Sequence, residues 1–224
     1  MGIFRGPNIV TEGLILSLDA ASIRSYPGSG VKLFDLSRKG NDASLENGAT
    51  FNSNGYISLD GNDDMFSIIN SNGDFNLGLG DFTVTLWINQ GYDTTYPHLF
   101  AFDDQSNFCL KAVRGGIVDA FQIYVYQGSS ITFTNSYLTP ATWQMITLTR
   151  VGNNHKLFIN GVLTDTVLAT AKNITCSNMY FGWGWGTEYT PQSRGPIYIY
   201  NVPLSDQQIL EHYESQHVRF ENTI

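Results

Sequence analysis

Carboxylates offer the first chemistry to weigh. A retaining glycosidase needs two carboxyl groups about 5–5.5 Å apart, and a β-strand can supply them from alternate residues. The six glutamates are Glu12, Glu46, Glu188, Glu211, Glu214 and Glu221, and none lies in an E-x-D-x-E pattern. Asp63-Asp64 and Asp103-Asp104 are adjacent pairs, so in a strand their side chains would face opposite ways. Glycoside hydrolysis is not expected. Nucleophilic catalysis lacks its motif too, since no G-x-S-x-G elbow occurs. His98, His155, His212 and His217 read as surface or loop residues.

Asp60-Gly61-Asn62-Asp63-Asp64 concentrates oxygen ligands, which calcium prefers. It is not an EF-hand: glycine falls second rather than sixth, and Ser71 stands twelfth. Asp and Asn in a β-turn is the plain reading. If calcium binds, Asp60, Asp63 and Asp64 are its ligands by spacing, with Asp103-Asp104 a weaker second grouping.

The most unusual stretch is Phe181-Gly-Trp-Gly-Trp-Gly-Thr-Glu-Tyr189. Trp183 and Trp185 would project to one side if the chain is extended. An indole is a flat surface for a sugar ring, and the glycines would let a ligand or second chain approach. Alternatively the tryptophans plug the end of the domain or a subunit interface. Tyr189 shares the loop, while Tyr92, Tyr96 and Tyr137 lie in loops that could rim the same end. The expected ligand-binding set is Trp183, Trp185, Tyr189 and Tyr96.

The chain that must hold these residues is 224 residues long, 42% hydrophobic and 13% aromatic, enough for a sizeable core. Only 14% of residues are charged, so Asn, Ser, Thr, Gln and Gly must make much of the surface. A net charge of −8 argues against nucleic acid, which needs clustered lysine and arginine. Arg38-Lys39 is the one adjacent basic pair. Cys109 and Cys176 form no CxxC; one bridge between them is the alternative, and two reduced, buried thiols are the expectation. No apolar leader follows Met1, and no run approaches the ~18 residues of a membrane span. The chain is therefore expected to be made and folded in a cytoplasm.

Period-2 alternation dominates. In Phe82–Ile88, Phe82, Val84, Leu86 and Ile88 face one way and Thr83, Thr85 and Trp87 the other. Trp143–Val151, His155–Ile159 and Val162–Thr166 form three β-prone runs, the last two joined by Asn160-Gly161, the strongest short hairpin signal. They predict an antiparallel meander near the centre of a sandwich. Its face of Trp143, Met145, Thr147, Thr149 and Val151 would lie against a core or line a shallow cleft. Further strands are expected at Leu14–Asp19, Val31–Phe34, Ala49–Phe51, Tyr56–Leu59, Met65–Ile69, Leu99–Phe102, Phe108–Lys111, Ala120–Tyr126, Ile131–Thr134, Asn178–Phe181 and Ile197–Tyr200. One helix is expected, opened by the capping box Ser205-Asp-Gln-Gln208. Residues 1–12 read as an N-terminal arm and 13–224 as a single domain.

Several segments now align with a family. Gly13–Asp19, Asp35-Leu-Ser37 with Gly40-Asn41, Ile57–Asp64, Asp81–Trp87, Trp143 with Leu157–Gly161, and Tyr200–Ile209 occur in the order found in laminin-G-like, concanavalin A-like jelly-roll modules. The chain resembles that family over about residues 12–214, and Ser25-Tyr-Pro-Gly-Ser-Gly30 is similar to modules in virion structural proteins of tailed bacteriophages. The resemblance implies an all-β, antiparallel two-sheet jelly-roll sandwich with one short C-terminal helix. It further implies a non-enzymatic virion structural protein, decorating a capsid or seated on a fibre, with weak multivalent glycan affinity. The alternatives are a lectin with a defined pocket and, remotely, a glucanase. Implied partners are other virion proteins through the arm, glycans, and further copies of the chain, with the protein exposed on the particle. Two departures stand out. Arg38-Lys39 and Asp42-Ala43 replace small and Gly-rich positions, suggesting a private contact for that loop, and Pro196 predicts a strand that begins at an edge or a bend.

Overall fold

The structure, a computed structural model, describes residues 9–91, 97–103, 107–114, 121–127, 130–184, 186 and 188–221. In chain order the strands are β1 (Leu14–Leu18), β2 (Lys32–Leu33), β3 (Ala43–Glu46), β4 (Thr50–Asn52), β5 (Tyr56–Asp60), β6 (Met65–Ile69), β7 (Phe82–Gln90) and β8 (His98–Phe102). Then follow β9 (Phe108–Arg114), β10 (Phe121–Tyr126), β11 (Ser130–Leu138), β12 (Trp143–Val151), β13 (Asn154–Ile159), β14 (Val162–Leu168), β15 (Asn178–Phe181) and β16 (Pro191–Tyr200). Helix α1 (Asp206–Glu214) closes the chain with a 3-10 turn at His217–Arg219.

These strands make two antiparallel sheets. The first runs β14-β13-β12-β7-β16-β5-β4, with β1 beside the second half of β16, and the other runs β11-β10-β9-β8-β15-β6-β3-β2. Period 2 sends Val84, Leu86, Ile88, Ile146 and Leu148 from the first sheet, and Phe66, Phe100, Phe102, Phe108 and Phe181 from the second, into one core between the sheets. The meander forms as its turns dictate, with Asn160 and Gly161 at φ of 52° and 78°. Its place is corrected: β12, β13 and β14 run outward to a sheet edge, and β7 and β16 occupy the middle.

The hydroxyl-bearing face of the meander lies against a second core. Trp87, Met145, Phe158, Tyr198, Tyr200, Ile209 and Phe220 cluster on the outer side of the first sheet, beneath α1. Trp87 stacks on Phe220 at 4.3 Å and on Tyr213 at 5.7 Å between ring centroids, and the buried hydroxyls of Thr85 and Thr147 meet at 3.0 Å. The helix begins as its sequence requires: the Gln208 N–H donates to the Ser205 hydroxyl, and the Ser205 N–H donates to the Gln208 side chain.

Three further points differ from or refine the expectation. Ala43–Glu46, which falls in none of the expected strands, is a strand whose Ala43 and Leu45 side chains are buried. Pro196 marks a bend but not an edge, because β16 starts earlier and its register with β7 shifts between Arg194 and Ile197. A bulge is where a residue without an N–H can enter a central strand. Cys109 and Cys176 are free and buried, and burial pushes the Cys176 thiol up to about 12.

Candidate functional site

The aromatic loop leaves β15 with its side chains divided between core and surface. Phe181 is fully buried and stacks on Phe66 at 4.6 Å, whereas Trp183, Glu188 and Tyr189 are half-exposed. Trp183 is fixed twice. Its indole N–H donates to the Gly186 carbonyl at 3.0 Å, and its ring meets Tyr180 edge-on at 4.7 Å. Trp183 and Tyr189 also form a β-bridge, so two of the expected ligand-binding residues sit side by side. Trp185 and Tyr96, and also Tyr92, lie outside the described residues.

Two glycines of this loop, Gly182 and Gly184, lie against the rest of the chain. A Cβ on Gly182 would sit 2.3 Å from Leu59 Cδ1, and one on Gly184 would sit 1.9 Å from His98 Nδ1. The chain's own core is what comes close.

His98 corrects a second expectation. Far from the surface, its imidazole is fully buried at the start of β8, and Nε2 lies 2.7 Å from the Glu188 carboxylate. Its N–H donates to the Thr190 hydroxyl, and its carbonyl accepts from Gln192 Nε2 and Arg194 Nη2. Loop and β16 thus hang from one residue. Burial lowers the His98 pKa, with the Glu188 carboxylate opposing it. Arg194, wholly buried, also donates to the Leu99 carbonyl at 2.6 Å, and desolvation brings its guanidinium down to about 9. His155 and His212 are likewise buried, each with a pKa lowered by desolvation, while His217 is half-exposed. His155 stands between Asn154 and Lys156, and His212 follows Glu211, so polar neighbours in the chain conceal the burial of both.

The acidic turn brings its three residues together. Carboxylate oxygens of Asp60, Asp63 and Asp64 lie within 4.8 Å of one another. Both Asp60 oxygens accept hydrogen bonds from Asn62, and the Asp60 N–H donates to Asp64. Asn62 is the main cause of the lowered Asp60 pKa, and burial raises that of Asp64. Asp103 instead accepts from the N–H groups of Ser177 and Asn178, a structural use of its carboxylate; Asp104 lies outside the described residues.

Sequence reasoning missed the Glu188–His98 pair, whose members stand 90 residues apart and carry no spacing signal. It also missed a hollow of about 280 Å³ on the outer face, walled by Trp87, Trp143, Tyr213 and Phe220 with Asn89 and Glu221 beside them.

Residues 47–210 match the Laminin_G_3 model, described as the concanavalin A-like lectin/glucanases superfamily. The chain belongs to this superfamily. Among solved structures it is similar to the receptor-binding domain of botulinum neurotoxin C/D mosaic serotype, with TM-score 0.70 and 20% identity over 92% of this chain and 52% of that one. The botulinum neurotoxin type C protein that interacts with two ganglioside molecules gives TM-score 0.70 at 15% identity, with the same coverage. The binding domain of botulinum neurotoxin DC in complex with rat synaptotagmin II gives 0.72 at 16% identity, again covering 92% and 52%. At these identities the likeness is one of fold, and the chain spans about half the length of each matched structure. No curated protein sequence matches the chain.

Proposed function

We propose that the protein is a non-enzymatic, lectin-like module that meets glycans through the rim loop 181–190 and is carried in many copies on a virion surface. The observation behind this reading is Trp183: half-exposed, tied to Gly186, braced by Tyr180 and adjacent to Tyr189. A flat ring held still costs little ordering when a sugar stacks on it. The ganglioside-interacting type C neurotoxin shows that a chain of similar fold works in a glycan-binding protein. Weak sites suffice on a particle, because repetition raises avidity by about 10²–10⁴ without any new contact.

A glycan array and a titration followed by tryptophan fluorescence test the reading. Binding that disappears in Trp183→Ala, while the variant keeps its melting temperature, supports it; glycan binding unaffected by that change places the site elsewhere. Turnover of a β-glucan would remove the non-enzymatic assignment. The virion setting rests on the resemblance of the opening segment to tailed-phage modules, and mass spectrometry of purified particles tests it directly. A calcium ion on Asp60, Asp63 and Asp64 is a separate proposal. Chelation by EDTA then lowers the melting temperature, and an unchanged value assigns those carboxylates to the turn alone.

A further inference from the structure

A second cleft lies away from the rim loop. It encloses about 720 Å³ on the outer side of the first sheet, beside β1 and under residues 9–11. That size falls within the roughly 300–1,000 Å³ of small-molecule sites. Its apolar wall is Ile9, Leu14, Ala21, Leu36 and Tyr198, while Arg24 and Arg38 bring two guanidinium groups to it. Asp19 also lines it but is already engaged by Arg219 at 2.8 Å. Arg24 and Arg38 are exposed and make no ion pair or hydrogen bond among the described residues.

Their placement runs against the rest of the molecule. The net charge is −8, and other basic side chains are spent on partners: Lys32 on Asp42, Lys156 on Asp206, Arg150 on the carbonyls of Gly78, Gly80 and Lys172. Arg38 is also strained. Its φ is +72°, a conformation that an L-residue rarely adopts and that glycine adopts freely. The loop is not free to relax, because Asp35 accepts from the N–H groups of Ser17, Ser37 and Asn41 and from the Ser37 hydroxyl. An arginine kept where a glycine would fit better is the mark of strain retained for a contact.

The geometry points to a binding site for a small anionic amphiphile. A carboxylate or phosphate head engages Arg24 and Arg38, since guanidinium offers planar, paired donors to either group. The apolar body lies along Leu14, Ala21 and Leu36. This site shares no residue with the rim loop and does not depend on the glycan reading.

The test titrates the isotopically labelled protein with octanoate, octyl phosphate, 1-octanol and acetate, following the amides of Ile9, Ala21 and Leu36. Octanoate or octyl phosphate should shift these amides, and the better of the two identifies the head group. Neutral octanol and tail-less acetate should each bind at least about tenfold more weakly, a difference of about 1.4 kcal/mol. The double variant Arg24→Gln/Arg38→Gly should lose at least about tenfold in affinity for the anion, while Arg38→Gly alone melts no lower than the parent because glycine relieves the positive φ. Octanol binding as tightly as octanoate, an undiminished affinity in the double variant, or no shift with either anion overturns the proposal. Trp183→Ala should leave this titration unchanged.

Discussion

His98 shows how much a single side chain can organise. Its ring holds Glu188, its N–H holds Thr190, its carbonyl holds Gln192 and Arg194, and Gly184 lies against its imidazole. Gly184→Ala would drive a methyl group into that ring, and overpacking of this kind costs typically about 1–3 kcal/mol; thermal unfolding should register it as a lowered melting temperature. Titration gives a second residue-scale prediction. Burial depresses His212 from 6.5 to about 4, and its Nε2 lies 3.0 Å from the Tyr200 hydroxyl, which donates to the Val10 carbonyl. A depressed histidine binds fewer protons folded than unfolded, so stability is fully present above pH 6.5 and falls as pH drops towards 4. At about 1.4 kcal/mol per pH unit, His212 alone accounts for roughly 3 kcal/mol across that window. Denaturant unfolding at stepped pH should show the decline, and His212→Phe should make it shallower while leaving the shares of His98 and His155. The residue types in the rim loop were visible in the chain, but the partners of its glycines and of Glu188 were not. Leu59 of β5 is more than a hundred residues from Gly182, and His98 of β8 is 90 residues from Glu188; no local pattern encodes such a meeting.

At the scale of elements, the sequence carried most of the strands because alternation and turn chemistry are local. Asn160-Gly161, the Ser205 capping box and the Phe82–Ile88 alternation each appear as their residues imply. What alternation could not reveal is the order of strands across a sheet. It also could not show that the meander's second face would be covered by a helix from the far end of the chain. That helix is held by its cap and by aromatic packing. Ser205→Ala should cost about 1 kcal/mol. Phe220→Ala, which removes the ring stacked on Trp87 and tilted against Trp143, should cost about 3–5 kcal/mol. Urea unfolding monitored by tryptophan fluorescence would separate the two magnitudes. A Phe220 loss near that of Ser205 would mean the outer core can collapse around the gap.

For the molecule as a whole, the two sheets meet along one flank as well as across the core. The Ser136 and Thr164 hydroxyls lie 2.6 Å apart, and the Asn135 N–H donates to Asp165 at 2.7 Å, joining β11 to β14. Terminal strands of the two sheets are thereby stitched to each other on that side, which restrains the edges that otherwise invite pairing between copies. On the proposed reading the sandwich is a scaffold whose binding chemistry lies in a loop, as expected where function is grafted onto a widely used fold.

The glycines at 182 and 184 give the rim loop a fixed keel and a replaceable face. Any effort to redirect its specificity should vary Trp183 and Tyr189 while leaving Gly182, Gly184 and Glu188 untouched. Libraries that randomise the whole stretch would mostly return unfolded clones, because Gly182, Gly184, Glu188 and Thr190 answer to Leu59 and His98 rather than to a ligand. In this loop, folding and evolvability are allotted to different residues.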